Sequence, residues 1–311
     1  MMRAIVADRA GAPAVMHDIE VPMIAIDEIL VRVRVAGVNP LDWKLRDNAY
    51  GGASYPMVLG QDFAGVVERA GSAVAGFAHG DRVFGSSAKG SYADFVAVKS
   101  TGCVDKIPAW LDDARAAALP TAGLTALHAV EEVHPQRDNT VLIVGATGGV
   151  GGFAVQIARS RGAHVIATAH SGKEAVARAF GADEVVPYDR GDLVDMVKRL
   201  HPAGVDAIID VVSDTATLER YASLVQPGGR VVSTIRAADP DWFARRNIQA
   251  VNFSINHTPT WSRAGLERLL QLVQLGAVVV RLEKELPIND AERVLADSKA
   301  GRIDGKAVLT L

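Results

Sequence analysis

One stretch of the sequence, Val141–Gly162, constrains the fold more than any other. It opens with the apolar, β-branched run Val141–Val144, which is typical of a buried parallel strand. The glycine-rich turn Gly145–Gly151 follows (GATGGVG). Apolar residues then recur at helical spacing as far as Gly162, which predicts an amphipathic helix that ends there. The stretch therefore predicts a strand, a glycine turn and a helix in direct succession.

This arrangement has a specific chemical use. A backbone without Cβ atoms can approach a pyrophosphate closely, and the free N–H groups of the first helical turn point at its oxygens. The positive end of the helix dipole adds to this attraction. We therefore predict a dinucleotide site with Thr147, Gly148, Gly149 and Val150 at the cofactor. A tight turn without a ligand is the alternative, and the agreement of strand, turn and helix favours the site.

Composition excludes several classes of protein. The chain has 311 residues, 49% of them hydrophobic and 22% charged, with a net charge of −3. Charges of like sign form no block, so nothing favours nucleic acid or an anionic membrane surface as a partner. The apolar runs are too short to span a bilayer, and charges interrupt the N-terminal one, so we expect no signal peptide and a cytoplasmic protein. Cys103 is the only cysteine, which excludes an intrachain disulfide and a cysteine-based zinc cluster.

The chain changes its pattern twice. Residues 1–115 carry short valine-rich runs separated by Gly, Pro and Asp, which predicts a partly closed antiparallel barrel. The predicted strands are Met2–Asp8, Glu28–Val35, Ala64–Ala70, Arg82–Gly85 and Ala93–Val98. Strands and helices then alternate, which predicts a doubly wound parallel sheet. Its predicted strands are Val141–Val144, His164–Ala169, Glu184–Val186, Val205–Val212, Gly229–Ile235 after a Pro-Gly-Gly turn, and the edge strand Val251–Ile255. The tail is mixed, with strands over Val278–Leu286 and Lys306–Leu311 that can rejoin the N-terminal domain.

Several motifs together resemble one superfamily. They are Ala36–Arg46 (AGVNPLDWKLR), Gly60–Val67 (GQDFAGVV), Gly123–Ala126 (GLTA), Gly145–Gly151 and Gly228–Val231 (GGRV). On these motifs the chain resembles the zinc-independent, zeta-crystallin-like quinone oxidoreductase branch of the medium-chain dehydrogenase/reductase superfamily. The resemblance implies an α/β fold in which a Rossmann domain, 116–259, is inserted into a GroES-like barrel domain, 1–115 with 260–311.

The differences from the zinc-dependent members of that superfamily are informative. Those enzymes carry cysteine where Asn39 stands and Gly-His-Glu where Gly60-Gln61-Asp62 stands. Amide side chains are poor zinc ligands beside thiolate and imidazole. We therefore predict no metal site and no Lewis acid to activate an alcohol.

The second predicted strand of the Rossmann domain indicates which nucleotide is bound. NAD-specific sites usually place an acid about 20 residues after the glycine turn, whereas this strand runs into Ser171 and Lys173 with no acid before Glu174. A hydroxyl and a lysine attract a 2′-phosphate, so we predict NADPH. A solvated surface lysine is the alternative for Lys173. The resemblance adds Tyr188 at the adenosine phosphate, and Phe253 is also assigned to the cofactor.

Without a metal, acceptors that are already electrophilic fit best: quinones, or alkenes conjugated to a carbonyl. The resemblance implies a cleft between the two domains in which the nicotinamide faces Asn39, Lys44, Tyr50 and Thr125. Asn39 would donate a hydrogen bond to nicotinamide or acceptor, Tyr50 would stack on a flat acceptor or supply a proton, and Lys44 and Thr125 would contact the cofactor. A surface loop aromatic is the alternative for Tyr50.

The predicted function is that of an NADPH-dependent reductase of quinones or activated alkenes, with a small molecule as its partner. An enoyl-thioester reductase and a non-catalytic NADPH-binding protein are the alternatives. The absence of a basic stripe argues against RNA as a partner. We further predict a homodimer that pairs through the edge strand Val251–Ile255, because an exposed strand edge invites pairing across a two-fold axis.

Overall fold

The computed structural model describes residues 1–253 and 258–311. The chain divides into two compact units, each built from separate stretches of sequence. The first unit comprises Met1–Ala122, Trp261–Arg268 and Val280–Leu311, and the second comprises Gly123–Thr260 and Leu269–Val279. The limits 1–115, 116–259 and 260–311 of the functional domains stay a prediction.

The described residues form strands and helices in the following order. The strands are β1 (Met2–Ala7), β2 (Val15–Ile19), β3 (Glu28–Val38), β4 (Met57–Val58), β5 (Asp62–Ala70), β6 (Arg82–Ser86), β7 (Phe95–Lys99), β8 (Val104–Lys106), β9 (Thr140–Val144), β10 (His164–Ala169), β11 (Glu184–Pro187), β12 (Val205–Asp210), β13 (Val225–Ser233), β14 (Gln249–Asn252), β15 (Leu282–Pro287) and β16 (Lys306–Thr310). The helices are α1 (Pro40–Arg46), α2 (Asp113–Ala117), α3 (Pro120–Val133), α4 (Gly149–Ser160), α5 (Glu174–Ala179), α6 (Leu193–Leu200), α7 (Thr215–Tyr221), α8 (Pro240–Ala244), α9 (Arg263–Gln274) and α10 (Ala291–Lys299). None of these helices is both long enough and apolar enough to cross a membrane.

The first unit is organised around the long strand β3. It lies in a sheet with the order β15-β16-β3-β5-β6-β8, and β7 also pairs with β3. Val31 and Val33 are buried while Arg32 and Arg34 are exposed, as the alternation in the sequence predicts. The register between β3 and β5 shifts twice, so the strands bend as strands of a barrel wall do. Because β16 pairs with β3, the N-terminal and C-terminal stretches of the chain share one sheet.

The second unit contains the predicted doubly wound sheet, which is confirmed. Its strands are all parallel, in the order β11-β10-β9-β12-β13-β14. The core of this unit is apolar, with Leu142, Ile166, Ile208 and Val231 all fully buried. Strand order reverses at β9, which is where parallel sheets of this kind bind ligands, outside the carboxyl ends of the strands.

The predictions for the strand Val278–Leu286 and for the turn before Gly229 are corrected. The predicted strand Val278–Leu286 begins only at Leu282, because its partner β16 starts at Lys306, after Gly305 with φ +89°, and offers no ladder before it. The Pro-Gly-Gly turn predicted before Gly229 lies inside β13 as an irregularity of the β12–β13 ladder. β2, β4, β8 and α8 are short elements that the sequence patterns did not predict.

The predicted edge strand lies two residues earlier than expected. β14 spans Gln249–Asn252 and stands last in the order of the parallel sheet. Ser254 and Ile255, which belonged to the predicted strand, lie outside the described residues. The homodimer predicted from this edge stays a prediction.

Candidate active site

The glycine turn of the second unit connects β9 to α4 at the carboxyl edge of the sheet. Gly145 has φ +86°, a left-handed conformation that side chains other than glycine rarely adopt. Its N–H donates to the hydroxyl of Thr168 on β10 at 3.0 Å, which ties the turn to the neighbouring strand. A Cβ on Gly151 would lie 2.1 Å from the carbonyl oxygen of Gly145. Two glycines are therefore required by the geometry of the turn itself.

The beginning of α4 is suited to an anion. Gly148 is the N-cap residue and has no side chain to cap the helix, and the first turn contains no acidic residue. Thr147, Gly148, Gly149 and Val150 are only partly buried, so the predicted cofactor contacts lie at an accessible point of the turn. Uncapped N–H groups at a helix start and the positive end of the dipole favour a negatively charged group here. A pyrophosphate fits this cradle.

Ser171, Lys173 and Tyr188 come together at the neighbouring strand ends. β10 ends at Ala169, and the N–H of Tyr188, directly after β11, donates to the carbonyl of Ala169 at 3.1 Å. The rings of His170 and Tyr188 meet edge to face with 5.9 Å between their centroids. The backbone N–H of Lys173 donates to the carbonyl of His170 at 2.9 Å, so the three predicted phosphate contacts follow the ends of two paired strands.

This corner also holds a carboxylate that the sequence argument missed. Asp189 accepts a hydrogen bond from the backbone N–H of Ser171 at 2.7 Å and another from the Ser171 hydroxyl. These two hydrogen bonds lower the pKa of Asp189, so the group is an anion at neutral pH. The statement that no acid lies at the end of β10 is correct for β10 alone. Ala169 pairs with Pro187 of β11. Asp189 lies two residues after Pro187, so the register of the two strands brings this acid to the end of β10.

Thr125 and Phe253, the other predicted cofactor contacts of the second unit, are buried. Thr125 lies on α3 and is 5% exposed. Phe253 directly follows β14, and its ring lies 5.4 Å from the ring of His128, one helical turn after Thr125 on α3. Burial lowers the pKa of His128. The structure therefore brings both residues to α3, where each offers little accessible surface.

In the first unit Asn39 is part of a closed polar network. Its amide nitrogen donates to the carboxylate of Asp62 at 2.8 Å, and its amide oxygen accepts from the ammonium of Lys306. Asp62 also accepts from the backbone N–H and the hydroxyl of Thr121, at 2.9 and 2.6 Å. Lys306 donates in addition to the carbonyl of Val38 at 2.8 Å. Asn39 is 2% exposed, so its amide holds together two buried charged groups.

This geometry bears on the role predicted for Asn39, which stays a prediction. A donor to nicotinamide or acceptor must reach the ligand, whereas the amide of Asn39 is buried and bonded at both its nitrogen and its oxygen. Asn39 also begins α1, and its backbone N–H donates to the Asp42 carboxylate at 2.8 Å. These contacts fix the start of α1, the helix that carries Lys44.

A second carboxylate, Asp42, completes this network. The hydroxyl of the fully buried Tyr92 donates to the same oxygen of Asp42 as the Asn39 N–H does, at 2.8 Å. The other oxygen, Oδ1, has no hydrogen-bond partner among the described residues. Burial raises the pKa of Asp42 to about 7. Burial also raises the pKa of Asp62 and lowers that of Lys306. The network is thus held at a cost in solvation that its hydrogen bonds offset.

Lys44 and Tyr50 are the accessible predicted residues of the first unit. Lys44 lies on α1 with its ammonium 5.7 Å from the centroid of the Trp43 ring. Tyr50 is 56% exposed in the turn after α1, between Asn48 (φ 55°) and Gly51 (φ +71°). The side-chain oxygen of Asn48 accepts from the N–H of Ala53 at 3.1 Å, which closes the turn around the tyrosine. An aromatic ring held out on a closed turn can cover a flat acceptor.

The surroundings of the cysteine and of the histidines bear on the predicted absence of a metal site, which stays a prediction. Cys103 is buried, and burial raises the pKa of its thiol, so it is neither a ready ligand nor a ready nucleophile. In the described part of the chain, three donors of the histidine, cysteine or carboxylate type converge at one place, in the second unit. The position of the cysteine ligand in zinc-dependent enzymes is instead taken by Asn39, beside the Lys306 ammonium.

Comparisons with known proteins agree with this architecture. Residues 25–109 match the family model described as the alcohol dehydrogenase GroES-like domain, and residues 149–274 match that described as zinc-binding dehydrogenase. The quinone oxidoreductase of Pongo abelii is 35% identical over 240 residues, which cover 75% of this chain and 72% of that protein.

Solved structures are similar over the whole chain. The quinone oxidoreductase of Pseudomonas syringae superposes with a TM-score of 0.91 at 26% identity, covering 100% of both chains. Mycobacterial Rv1454c, solved in complex with NADPH, superposes with a TM-score of 0.90 at 27% identity, again over 100% of both chains.

Proposed function

Because this chain belongs to the quinone oxidoreductase branch of the medium-chain dehydrogenase/reductase superfamily, we propose that it transfers hydride from NADPH to a quinone or to an alkene conjugated with a carbonyl. The fold predicted by the resemblance, a Rossmann domain with a GroES-like domain, is that of the family. The chain is an oxidoreductase, and NADPH is its cofactor, as in the similar mycobacterial structure. The acceptor and the absence of a catalytic metal are the parts that we propose.

The observation that carries the proposal is the glycine cradle between β9 and α4. Gly151 packs against Gly145, where a Cβ would lie 2.1 Å from the carbonyl oxygen, and the start of α4 at Gly148 has no side-chain cap. Thr147, Gly148, Gly149 and Val150 would hold the pyrophosphate through backbone N–H groups. Bound in this way, the nicotinamide supplies the hydride. The residues of the chain bind and orient it.

The corner at Ser171, Lys173 and Tyr188 is proposed to hold the 2′-phosphate of NADPH. Ser171 offers a backbone N–H and a hydroxyl that already donate to the Asp189 carboxylate, which supports an anion site at this corner. The phosphate would replace the Asp189 carboxylate on these donors and gain the positive charge of Lys173. Phe253 and Thr125 are proposed to pack beside the nucleotide.

At the acceptor we propose that Tyr50 stacks on the flat substrate and that Lys44 contacts the cofactor. The exposed phenol of Tyr50 suits stacking more than the transfer of a buried proton. A reduced quinone can take its protons from water, so this reaction needs no dedicated general acid. An enone needs a proton at a defined carbon or oxygen and would depend more on the hydroxyl of Tyr50.

The decisive experiment measures NADPH oxidation against a panel of quinones, enones and enoyl thioesters. We expect turnover with quinones or enones, and the same rate after treatment with a chelator. Turnover with enoyl thioesters alone would instead identify an enoyl-thioester reductase. Tight NADPH binding without turnover on any acceptor would identify a non-catalytic NADPH-binding protein.

Variants of Tyr50 test the residue proposed at the acceptor. Tyr50→Phe should keep quinone turnover, whereas a lost general acid would lower the rate by about 10²–10⁴. Tyr50→Ala should raise KM for quinones. Trp110→Ala is the matched control, since Trp110 is an exposed aromatic of the same unit at 47% exposure. Wild-type kinetics in both Tyr50 variants with every acceptor would remove this residue from the mechanism.

We also propose that the protein is a homodimer paired through the outer edge of β14. Val251 of this strand is 37% exposed, and a charge placed on a strand edge opposes pairing with another edge. Light scattering should give a dimer mass for the wild type and a monomer mass for Val251→Lys. Leu200→Lys, on an exposed position of α6, is the control that should leave the dimer intact. A wild-type monomer mass at every concentration contradicts the proposal.

A further inference from the structure

Two histidines and a glutamate converge in the second unit, away from the glycine turn. His164 is the first residue of β10, Glu184 is the first residue of β11, and His201 directly follows α6. The Nε2 atoms of His164 and His201 lie 2.7 and 3.0 Å from the same oxygen of Glu184, Oε1. We call these three residues the His–Glu–His cluster.

The fold itself brings the His–Glu–His cluster together. Parallel pairing sets Glu184 beside Ile166, two residues after His164 on the adjacent strand. The N–H of His201 donates to the carbonyl of Val197 in the last turn of α6 at 2.7 Å, which fixes the residue at the helix end. The centroids of the two imidazole rings are 5.7 Å apart and the ring planes are tilted by 50°, so the rings are not stacked. Their Nε2 atoms instead both point at Oε1 of Glu184.

This geometry is close to that of a metal site. The three ligand atoms all lie within 4.8 Å of one another. A tetrahedral ion with ligands at about 2.1 Å separates them by about 3.4 Å, so small side-chain shifts suffice. The side chains of His164, Glu184 and His201 are 37%, 30% and 19% exposed, so an ion can enter and water can complete its coordination.

A carboxylate beside His164 is a further feature in common with metal sites. Asp183 precedes Glu184, and its Oδ2 lies 3.9 Å from Nδ1 of His164, on the side of the ring away from Glu184. The backbone N–H of Val165 donates to the same Asp183 oxygen at 2.9 Å, which holds the carboxylate in place. Histidine ligands of metals commonly have such a carboxylate partner on their second ring nitrogen.

We propose that the His–Glu–His cluster binds a divalent transition-metal ion of the Zn²⁺ class, which joins β10, β11 and the end of α6. Two imidazoles and one carboxylate suit Zn²⁺, Ni²⁺ or Cu²⁺ and disfavour Mg²⁺ and Ca²⁺. The cluster lies at the amino ends of β10 and β11, whereas the glycine turn lies at the carboxyl end of β9. The ion therefore stabilises the second unit and takes no part in hydride transfer, and the proposal is independent of the proposed function.

The test uses the untagged full chain after treatment with a chelator. A calorimetric titration with ZnCl₂ should give one Zn²⁺ per chain. In thermal unfolding, Zn²⁺ should raise the Tm whereas Mg²⁺ should not. The double variant His164→Gln/His201→Gln should bind Zn²⁺ about 10²-fold more weakly or worse and lose the rise in Tm. Glu184→Gln keeps a hydrogen-bond acceptor for the histidines and should also weaken binding, so it serves if the double variant does not fold.

His17→Gln is the matched control for the histidine variants. His17 is also 37% exposed at its side chain and faces the carboxylate of Asp8 at 3.6 Å, and among the described residues it belongs to no group of three metal-ligating side chains. This variant should keep the wild-type affinity for Zn²⁺. Absence of Zn²⁺ binding to the wild type, or unchanged binding by the double variant or by Glu184→Gln, would overturn the proposal and leave the cluster as hydrogen bonds between strands.

Discussion

The glycine turn of the second unit and the polar network of the first unit hold charge in opposite ways. The turn leaves backbone N–H groups uncapped at Gly148, which favours a negatively charged ligand from outside. The network uses side chains, buries charges of both signs, and links the carboxylate of Asp62 to the ammonium of Lys306 through the amide of Asn39. The turn is suited to a ligand because its donors are open. The network fixes the start of α1 because most of its donors and acceptors are already paired.

The two regions also differ in how far apart their residues lie in the sequence. The residues of the glycine turn lie within one short stretch of sequence, so their spacing predicts their geometry. The network unites Asn39, Asp62, Thr121 and Lys306, which no local pattern connects. Variants in each region therefore test this difference.

The largest effect is expected for Lys306→Met, which removes the cation of the network. Asp62 would keep its buried carboxylate without a counter-charge, which typically costs about 3–5 kcal/mol of unfolding free energy. Lys106→Met is the matched control, because Lys106 contacts Asp81 at 2.8 Å with both side chains partly exposed, at 52% and 25%. That surface pair should contribute about 1 kcal/mol or less.

Denaturant unfolding of the two lysine variants measures this difference. The double variant Lys306→Met/Asp62→Asn should recover part of the loss, because it removes both charges. Equal losses for Lys306→Met and Lys106→Met would show that the network contributes no more than a surface pair.

A pH dependence is expected next in size. Burial raises the pKa of Asp42 to about 7 in the folded chain, whereas an unfolded aspartate titrates near 3.9. The folded state therefore binds the proton more tightly. The contribution of Asp42 to stability falls as the pH rises from the pKa of the unfolded chain to that of the folded chain. Between pH 5 and pH 8 the loss is about 2–3 kcal/mol. Asp42→Asn should remove this part of the slope, measured as unfolding free energy against pH.

The control for Asp42 is an exposed carboxylate of the same unit. Glu20→Gln should leave the slope as it is in the wild type, since Glu20 lies at the surface. A slope in Asp42→Asn identical to that of the wild type would mean that Asp42 titrates alike in both states.

A pair of glycine variants sharpens the description of the turn. Gly151→Ala should cost about 1–3 kcal/mol of stability and weaken NADPH, because the new Cβ would lie 2.1 Å from the Gly145 carbonyl oxygen. Gly148→Ala meets nothing closer than 3.8 Å and should leave stability unchanged. A loss of NADPH affinity in Gly148→Ala at unchanged Tm would indicate that the ligand itself approaches this residue. Equal stability of both variants would contradict the close packing of the turn.

The smallest effect is expected at Asp189. Asp189→Asn removes the negative charge that competes for the donors of Ser171, so NADPH affinity should rise roughly two- to five-fold with little change for NADH. Fluorescence titration with both nucleotides measures this ratio. Asp195→Asn, at an exposed position of α6, controls for a general change in net charge. A lower affinity for NADPH in Asp189→Asn would place the phosphate elsewhere.

Much of the fold was predictable because its signals are local. The alternation of β3 and the βα succession from β9 onward follow from residue patterns, and both are confirmed. The ends of β15 and the irregularity in β13 were not predictable. The first depends on where β16 begins, and the second depends on how β12 and β13 pair. Neither is encoded in the segment itself.

The residues of the candidate site also differ in whether a local sequence pattern could predict their surroundings. Thr147 to Val150 follow from one motif, whereas the closed environment of Asn39 depends on Lys306, which is distant in the sequence. Asp189 was missed because the argument followed one strand, while the register of β10 and β11 brings the next strand's loop to the same corner. The His–Glu–His cluster was missed because its members are separated by a strand and a helix.

The pairing of β16 with β3 has a consequence for how the protein is made. Val35–Val38 of β3 leave the ribosome early, but their partners in β16 are synthesised after the whole second unit. At about 5–20 residues per second, the wait between Ala122 and Lys306 is about 10–40 s. During this interval Asp62 lacks its cation and β3 has an open edge, which is a site of aggregation. The inserted order of the chain therefore makes the first unit the last to be completed and the one that depends most on protection during translation.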